Sequence, residues 1–285
     1  MEIYQIDAFT KKPFCGNSAG VTFGDGLADD IKQKIAKEMN LAETAFLSKS
    51  ENADYKLQWF TPTVEVDLCG HATIASLHFL NEHSLLKNGK IILFDTKSGI
   101  LKCKMEEDKY FMQIPLYKMQ KFLEERDEII SALGISENIL AKDIPWVLLE
   151  NTNLYICVKS LEELKSISPN FKALIKISEK NKNIGGFTLF TLETLEKTSF
   201  AHCRYFVPYW GIDEDPVTGS VNGPLLPVLK FLNLISDQQM NNGLTFEQGD
   251  FMERSGRVDV KFYPKENELY ISGNAVTVIK GEIIF

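Results

Sequence analysis

The chain has 285 residues, 44% of them hydrophobic and 11% aromatic, enough to bury a sizeable core as one large domain or, better, two of ordinary size. Thirty-one Lys and Arg against thirty-nine Asp and Glu leave a formal charge of -8, which argues against nucleic acid and leaves small molecules or proteins as ligands. No uninterrupted apolar run approaches the ~18 residues of a membrane span, and the acidic, alternating start MEIYQIDAF is unlike a signal peptide, so the reading is a cytoplasmic protein with no membrane partner.

In chain order, IYQIDAF has strand character and KPFCGNSAGVTF follows as a turn-rich connection before a second short apolar run. LADDIKQKIAKEMN is the first helix: acids in its first turn, Ile31, Ile35 and Met39 at helical spacing, and Asn40 where a left-handed C-terminal residue sits. ETAFLSK resumes as strand. KLQWFTPTVEVDLCG gives a strand, a turn at Thr61, Pro62 and Thr63, and a glycine, after which HATIASLHFLNEH is too apolar all round for a surface helix and belongs in the middle of something. Alternating segments with turns at Ser98 and Gly99 and at Glu106 to Asp108 complete the block near Pro115.

A charged helix around FLEERDEIISALG opens the second half, and further mixed segments lead to RYFVPYWGIDEDPVTGSVNGPLLPVLKFL. This stretch reads as a degenerate second copy of LQWFTPTVEVDLCGHATIASL: an extended segment, a polar elbow with glycine, then an apolar helix. Strand after strand follows to the end. The copy is imperfect, because Pro227 removes an internal hydrogen bond and clashes with the carbonyl four residues back, while Pro224 is tolerable in the first turn if Ser220 is the N-cap. A kinked or displaced start to that helix is expected.

A helix start exposes about four unpaired N–H groups and the positive end of the helix dipole. CGHAT and VTGSVNG both place glycine there, so Gly70 and Gly219 either permit tight turns or let an anionic group approach two helix starts. Just upstream of the second, Pro216 holds Asp215 extended and so fixes the direction of its carboxylate; that acid is either a cap for the helix or part of a site. Glu43 shares a strand face with Ala45 and Leu47, and a carboxylate among apolar groups has a raised proton affinity suited to general acid/base work, unless water solvates it. His71 at the first elbow either binds or relays a proton, or caps the helix. His78 lies among apolar neighbours and suits a core or interface, and His83 and His202 carry no signal. Asn17 is a turn residue or a ligand contact.

Five scattered cysteines without a C-x-x-C pair suggest neither a disulfide framework nor a zinc site, and no metal is expected. A cysteine pair is the usual device for cofactor-free proton exchange at carbon. Cys69 and Cys203 sit in apolar, strand-like contexts and read as core.

IDAFTKKPFCGNSAGV, LAETAFL, WFTPTVEVDLCGHATIAS, RYFVPYWGIDEDPVTGSVNGPL and the late GRVDV and GNAVTVIKGEI, in this order, resemble the phenazine-biosynthesis PhzF-like isomerase family over nearly the whole chain. The resemblance implies the diaminopimelate-epimerase-like α+β fold: two pseudo-symmetric domains, each a mixed β-barrel around a central apolar helix, with the active site in the cleft between them. Residues 1–116 with the strand 274–285 form the first domain and 117–273 the second. It further implies Glu43 as a proton-shuttling base, His71 and Asp215 as its catalytic partners, and Asn17, Gly70, Ala72, Thr218, Gly219 and Ser220 as substrate contacts. A small anionic carboxylate substrate, a homodimer and no cofactor follow from the same resemblance. The sequence departs from the family's usual pattern in GNSAG, with serine for proline, in RSG for RPG, and in Pro227.

The expected function is therefore cofactor-independent proton transfer between carbons of a small carboxylate. Two rival readings are an epimerase or racemase, which returns the proton to the same carbon, and a non-catalytic relative that binds a small acid or a protein.

Overall fold

A computed structural model describes residues 1–284. The chain divides into two compact units: Met1–Ile114, Gly256–Val258 and the chain from Tyr270 onward make the first, and Pro115–Ser255 with Asp259–Leu269 the second. Among the described residues no helix is long and apolar enough to cross a membrane.

The first unit runs β1 (Glu2–Ala8), β2 (Asn17–Phe23), α1 (Asp29–Met39), β3 (Glu43–Ser48), β4 (Tyr55–Phe60), β5 (Glu65–Val66), α2 (Gly70–Glu82), β6 (Ile91–Thr96), β7 (Gly99–Glu106) and β8 (Lys109–Ile114). β1 pairs antiparallel with β2 and with a late strand, Ala275–Glu282. β2 and β3 are parallel, β3 and β4 antiparallel, and β4 and β6 parallel. The hairpins β6 to β7 and β7 to β8 turn where the sequence indicated, the second through Glu107 and Asp108, both with positive φ. α2 packs against β1, β2, β3, β8 and the late strand, and ten of its thirteen residues are buried, which is why its sequence shows no polar face. Its buried hydroxyls are satisfied within the helix, Thr73 Oγ1 donating to Cys69 O at 2.6 Å and Ser76 Oγ to Ala72 O at 2.7 Å. α1 ends as expected, with Asn40 left-handed and its N–H on Ala36 O.

One glycine sets the position of a candidate site residue. Gly16 has φ +64°, and a Cβ there would sit 2.1 Å from Ala8 O, so only glycine lets the chain turn tightly into β2 and deliver Asn17 at its start.

The second unit contains β9 (Met119–Phe122), α3 (Arg126–Leu133), β10 (Trp146–Leu149), β11 (Asn153–Cys157), α4 (Leu161–Ser166), α5 (Phe171–Lys180), β12 (Gly186–Thr191), β13 (Ala201–Val207), β14 (Ile212–Asp215), α6 (Gly219–Phe231), α7 (Asp237–Asn242) and β15 (Leu244–Gln248). The antiparallel strands β9, β10 and β11 continue through a parallel pairing to β12, then antiparallel to β13. β13 pairs antiparallel with β14 and parallel with β15, which brings Asp215 and Gln248 to neighbouring strand ends. Trp146, Leu154, Phe187 and Phe206 form a core with Leu174 and Ile177 of α5.

α6 differs from expectation. Its N-cap is Thr218 rather than Ser220, and it continues through Pro224 and Pro227 to Phe231. Nine of its thirteen residues are buried, and that burial outweighs the hydrogen bonds the two prolines cannot donate. The Tyr155 hydroxyl adds a bond to Val221 O at 2.8 Å. α2 and α6 are the same length, each opens with glycine after an extended N-cap, and in each the fourth residue returns a hydrogen bond to the N-cap carbonyl. Thr73 does this in α2 and Asn222, through Nδ2, in α6.

Candidate active site

In the first unit, the parallel pairing of β2 with β3 places the starts of both strands on one side, where α2 also begins. Asn17 opens β2, Glu43 opens β3, and His71 is the second residue of α2. Glu43 Oε2 lies 3.1 Å from His71 Nε2, with the two side chains 13% and 6% exposed. On the other edge of the ring, His71 Nδ1 is 3.3 Å from Asn17 Nδ2 and 3.5 Å from Cys69 Sγ. Three residues picked out in the sequence thus meet, and a fourth, Cys69, joins them although its apolar context pointed to plain core.

The electrostatics correct one expectation. Burial does push the Glu43 carboxyl up, as its apolar strand face suggested, but the charge and hydrogen bonding of His71 outweigh burial and hold it below the ordinary value. Burial works against a charged His71 as well, yet Cys69 and Glu43 raise the imidazole well above its ordinary range. The Cys69 thiol is pushed up to about 11 by burial and by Glu43, with His71 opposing. Glu43 Oε2 and His71 Nε2 are both buried, and each has the other, at 3.1 Å, as its polar neighbour.

Glu43, Cys69 and His71 each offer a metal-ligating atom, all within 4.8 Å of one another. The ring, however, faces the thiol with Nδ1 and the carboxylate with Nε2. An ion binds in line with one ring nitrogen, so from either edge it reaches one of the two partners, and the arrangement fits a chain of proton carriers better than a coordination sphere.

In the second unit Asp215 ends β14 and is extended, as the following proline requires. It is buried, and the N-cap residue of α6 is Thr218. The Asp215 carboxylate accepts a hydrogen bond from the Thr218 hydroxyl. Gln248, from β15, ties the elbow together: Nε2 donates to Asp215 O at 2.8 Å and to Thr218 Oγ1 at 3.2 Å, while Oε1 accepts from Thr218 N at 3.0 Å and Asn222 Nδ2 at 2.6 Å. Sequence reading missed Gln248, since nothing local marks a glutamine thirty-three residues beyond the acid it supports. Behind the elbow, Arg204 makes a two-point contact with Glu214, both bonds 2.8 Å, and donates to Ile167 O at 2.7 Å, fixing β14 against β13. Gly219 and Ser220 are the first two residues of α6, as Gly70 and His71 are of α2, with Ala72 third.

The remaining histidines have structural partners. His78 contacts the Tyr110 hydroxyl at 3.0 Å and Thr277 at 3.1 Å, and His202, wholly buried, pairs with Glu247 at 2.9 Å. Cys203 is buried in β13, in keeping with a core thiol.

The family model of phenazine biosynthesis-like proteins, PhzC-PhzF, matches residues 6–281. The chain belongs to this family. It is 37% identical to an uncharacterized isomerase of Clostridium acetobutylicum over 99% of this chain and 97% of that one. An uncharacterized isomerase of Bacillus subtilis is 34% identical over 91% and 90%. Among solved structures, a PhzF-family phenazine biosynthesis protein of Bacillus anthracis superposes with a TM-score of 0.90 at 29% identity, covering 100% of this chain and 99% of that one. A hydroxyproline epimerase from Agrobacterium vitis, 10% identical with a TM-score of 0.58 over 99% and 91%, shares the fold alone. The phenazine biosynthesis-like chain therefore has the diaminopimelate-epimerase-like α+β fold of these neighbours.

Proposed function

We propose that this member of the phenazine biosynthesis-like family is a cofactor-independent isomerase that moves a proton between carbons of a small carboxylate-bearing substrate, with Glu43 as the base. The contact of Glu43 with His71 carries this reading: a buried carboxylate held ionised at the start of a strand, against an imidazole that stabilises its charge. A proton taken from carbon lands on the Glu43 carboxylate, whose Oε2 is buried against His71 Nε2. The backbone N–H groups at the start of α2 are proposed to stabilise the anion that develops on the substrate. In the second unit, Asp215 is proposed as an acid of the reaction, and the start of α6, with Thr218, Gly219 and Ser220, as substrate contacts that favour an anionic group. A homodimer that needs no cofactor completes the proposal, with sedimentation velocity as its check.

The test is incubation in deuterated water with a panel of small unsaturated and amino carboxylic acids, following carbon-bound deuterium by NMR. Exchange by the wild type and not by the Glu43→Gln protein supports the assignment; full exchange by Glu43→Gln sinks it. Deuterium at a stereocentre without bond migration identifies an epimerase instead. Binding of a small acid with no exchange across the panel identifies a non-catalytic relative.

A further inference from the structure

The departure of GNSAG from the family's usual proline falls on Ser18, and the structure gives that serine a task. Ser18 pairs with Asp7 across β1 and β2, and Asn17 pairs with Ala8. Asp7 is 1% exposed, and a carboxylate so deep needs hydrogen-bond donors around it. Its Oδ1 accepts the Ser18 hydroxyl, which in turn accepts from Gln5 Nε2 at 3.5 Å, and its Oδ2 accepts the backbone N–H of Phe14 at 2.8 Å. The carboxylate thus grips the chain on both sides of Cys15, Gly16 and Asn17. This connection needs holding: Phe9, Phe14 and Gly16 are all left-handed, and the Phe14 side chain is 70% exposed, so burial of that ring does not supply the hold. The other end of the connection is tied separately, Phe9 O accepting from Arg257 N at 2.9 Å and Thr10 N donating to Asn274 O at 3.2 Å.

We propose that Asp7 and Ser18 are positioning residues of the Glu43 and His71 site: they fix Gly16 and Asn17 in place, and Asn17 in turn fixes the His71 ring. The inference rests on the proton-transfer reading given above. Asn17 is buried with its Nδ2 3.3 Å from His71 Nδ1, and the opposite edge of the ring presents Nε2 to Glu43 Oε2 at 3.1 Å. A half-turn of the amide exchanges its nitrogen for its oxygen, so Asn17 serves Nδ1 whether or not that nitrogen carries a proton. An Asn17 that drifts leaves the ring free to turn, and the contact that sets the charge of Glu43 loosens with it. A proline at position 18 stiffens the chain but donates no hydrogen bond to Asp7. In this chain the hydroxyl does the holding, so the order of the site depends on one side-chain bond that a single substitution removes.

Two measurements on the intact protein test this, with Ser18→Ala, Ser18→Thr and Asp7→Ala beside the wild type. Ser18 is half-buried, so its variants keep the fold even where Asp7→Ala does not. The first measurement is the His71 imidazole NMR signal, assigned by its loss in His71→Asn and followed against pH. Ser18→Ala is expected to shift that signal and move its titration, and Ser18→Thr, which keeps the hydroxyl, to restore both. The second is deuterium exchange over the same panel of acids. With an acid that the wild type exchanges, Ser18→Ala should lower kcat roughly tenfold, as misplaced catalytic groups do, with a smaller change in KM. Ser18→Thr should return kcat close to the wild-type value, and Asp7→Ala should exceed the effect of Ser18→Ala. An unmoved His71 signal in Ser18→Ala, or a threonine variant no better than the alanine one, overturns the proposal. So does a loss of stability in urea with kcat and the His71 titration unchanged. If the His71 signal responds as expected but the wild type exchanges nothing, the positioning holds and the proton-transfer reading is what fails.

Discussion

The carboxylate of Glu43 and the imidazole of His71 meet at 3.1 Å, both nearly buried, and each moves the other toward its charged form. Glu43 is held below 4.5, so it stabilises the fold at pH above that value and loses the contribution as pH falls through its lowered folded value. His71 is held above 6.5, so its contribution is complete below 6.5 and fades as pH rises through its raised folded value. The stability difference between wild type and Glu43→Gln, measured by urea unfolding, is therefore expected to be largest between pH 4.5 and 6.5 and to shrink on both sides. A difference that is flat from pH 3 to 9 would rule out an ionised pair.

Replacing His71 by Asn leaves the burial of Glu43 opposed only by the Cys69 hydrogen bond. The acid limb of the exchange rate against pH is expected to move upward, past the ordinary carboxylate value of 4.5, and the maximal rate to fall roughly 10²- to 10⁴-fold as an acid/base partner is lost. An unmoved limb would show that something other than His71 sets the Glu43 charge.

Gln248 makes four hydrogen bonds around Asp215 and Thr218. Gln248→Ala leaves several buried donors and acceptors without partners and is expected to cost about 1–3 kcal/mol in urea unfolding. Ligand affinity should fall as well, since the start of α6 loses the side chain that orders it. A neutral effect on both would mean that the elbow is held by packing alone.

Arg204 and Glu214 have side chains 11% and 15% exposed and share two bonds of 2.8 Å. Glu214→Ala strands the guanidinium beside the carbonyls of Leu164 and Ile167, and the expected loss is roughly 3–5 kcal/mol, readable as a shift in the denaturant midpoint. The companion substitution Arg204→Met, which removes the other charge, should recover part of it.

Gly16→Ala forces a side chain into the left-handed region and against the Ala8 carbonyl. We expect about 1–3 kcal/mol of destabilisation. Asn17 should move from His71, visible as a changed His71 imidazole signal in NMR.

Much of the local plan was legible in the sequence because it depends on neighbours along the chain. Apolar periodicity and capping marked α1 and its Asn40 terminus, turn residues marked the hairpins, and the all-apolar HATIASLHFL marked a helix surrounded by strands. Glu43, His71 and Asp215 stood out by their positions at the starts or ends of elements and by the family motifs that contain them. What the sequence left open was settled by contacts between distant segments. The charge on Glu43 follows from an imidazole twenty-eight residues away, which reverses the effect of its apolar strand face. The N-cap of α6 is Thr218 because packing carries the helix through two prolines that local rules count against it. Gln248 reaches Asp215 only through the pairing of β15 with β13. Cys69 reads as core in one dimension, and the tertiary structure alone, by packing α2 beside β2 and β3, turned that thiol toward an imidazole and a carboxylate.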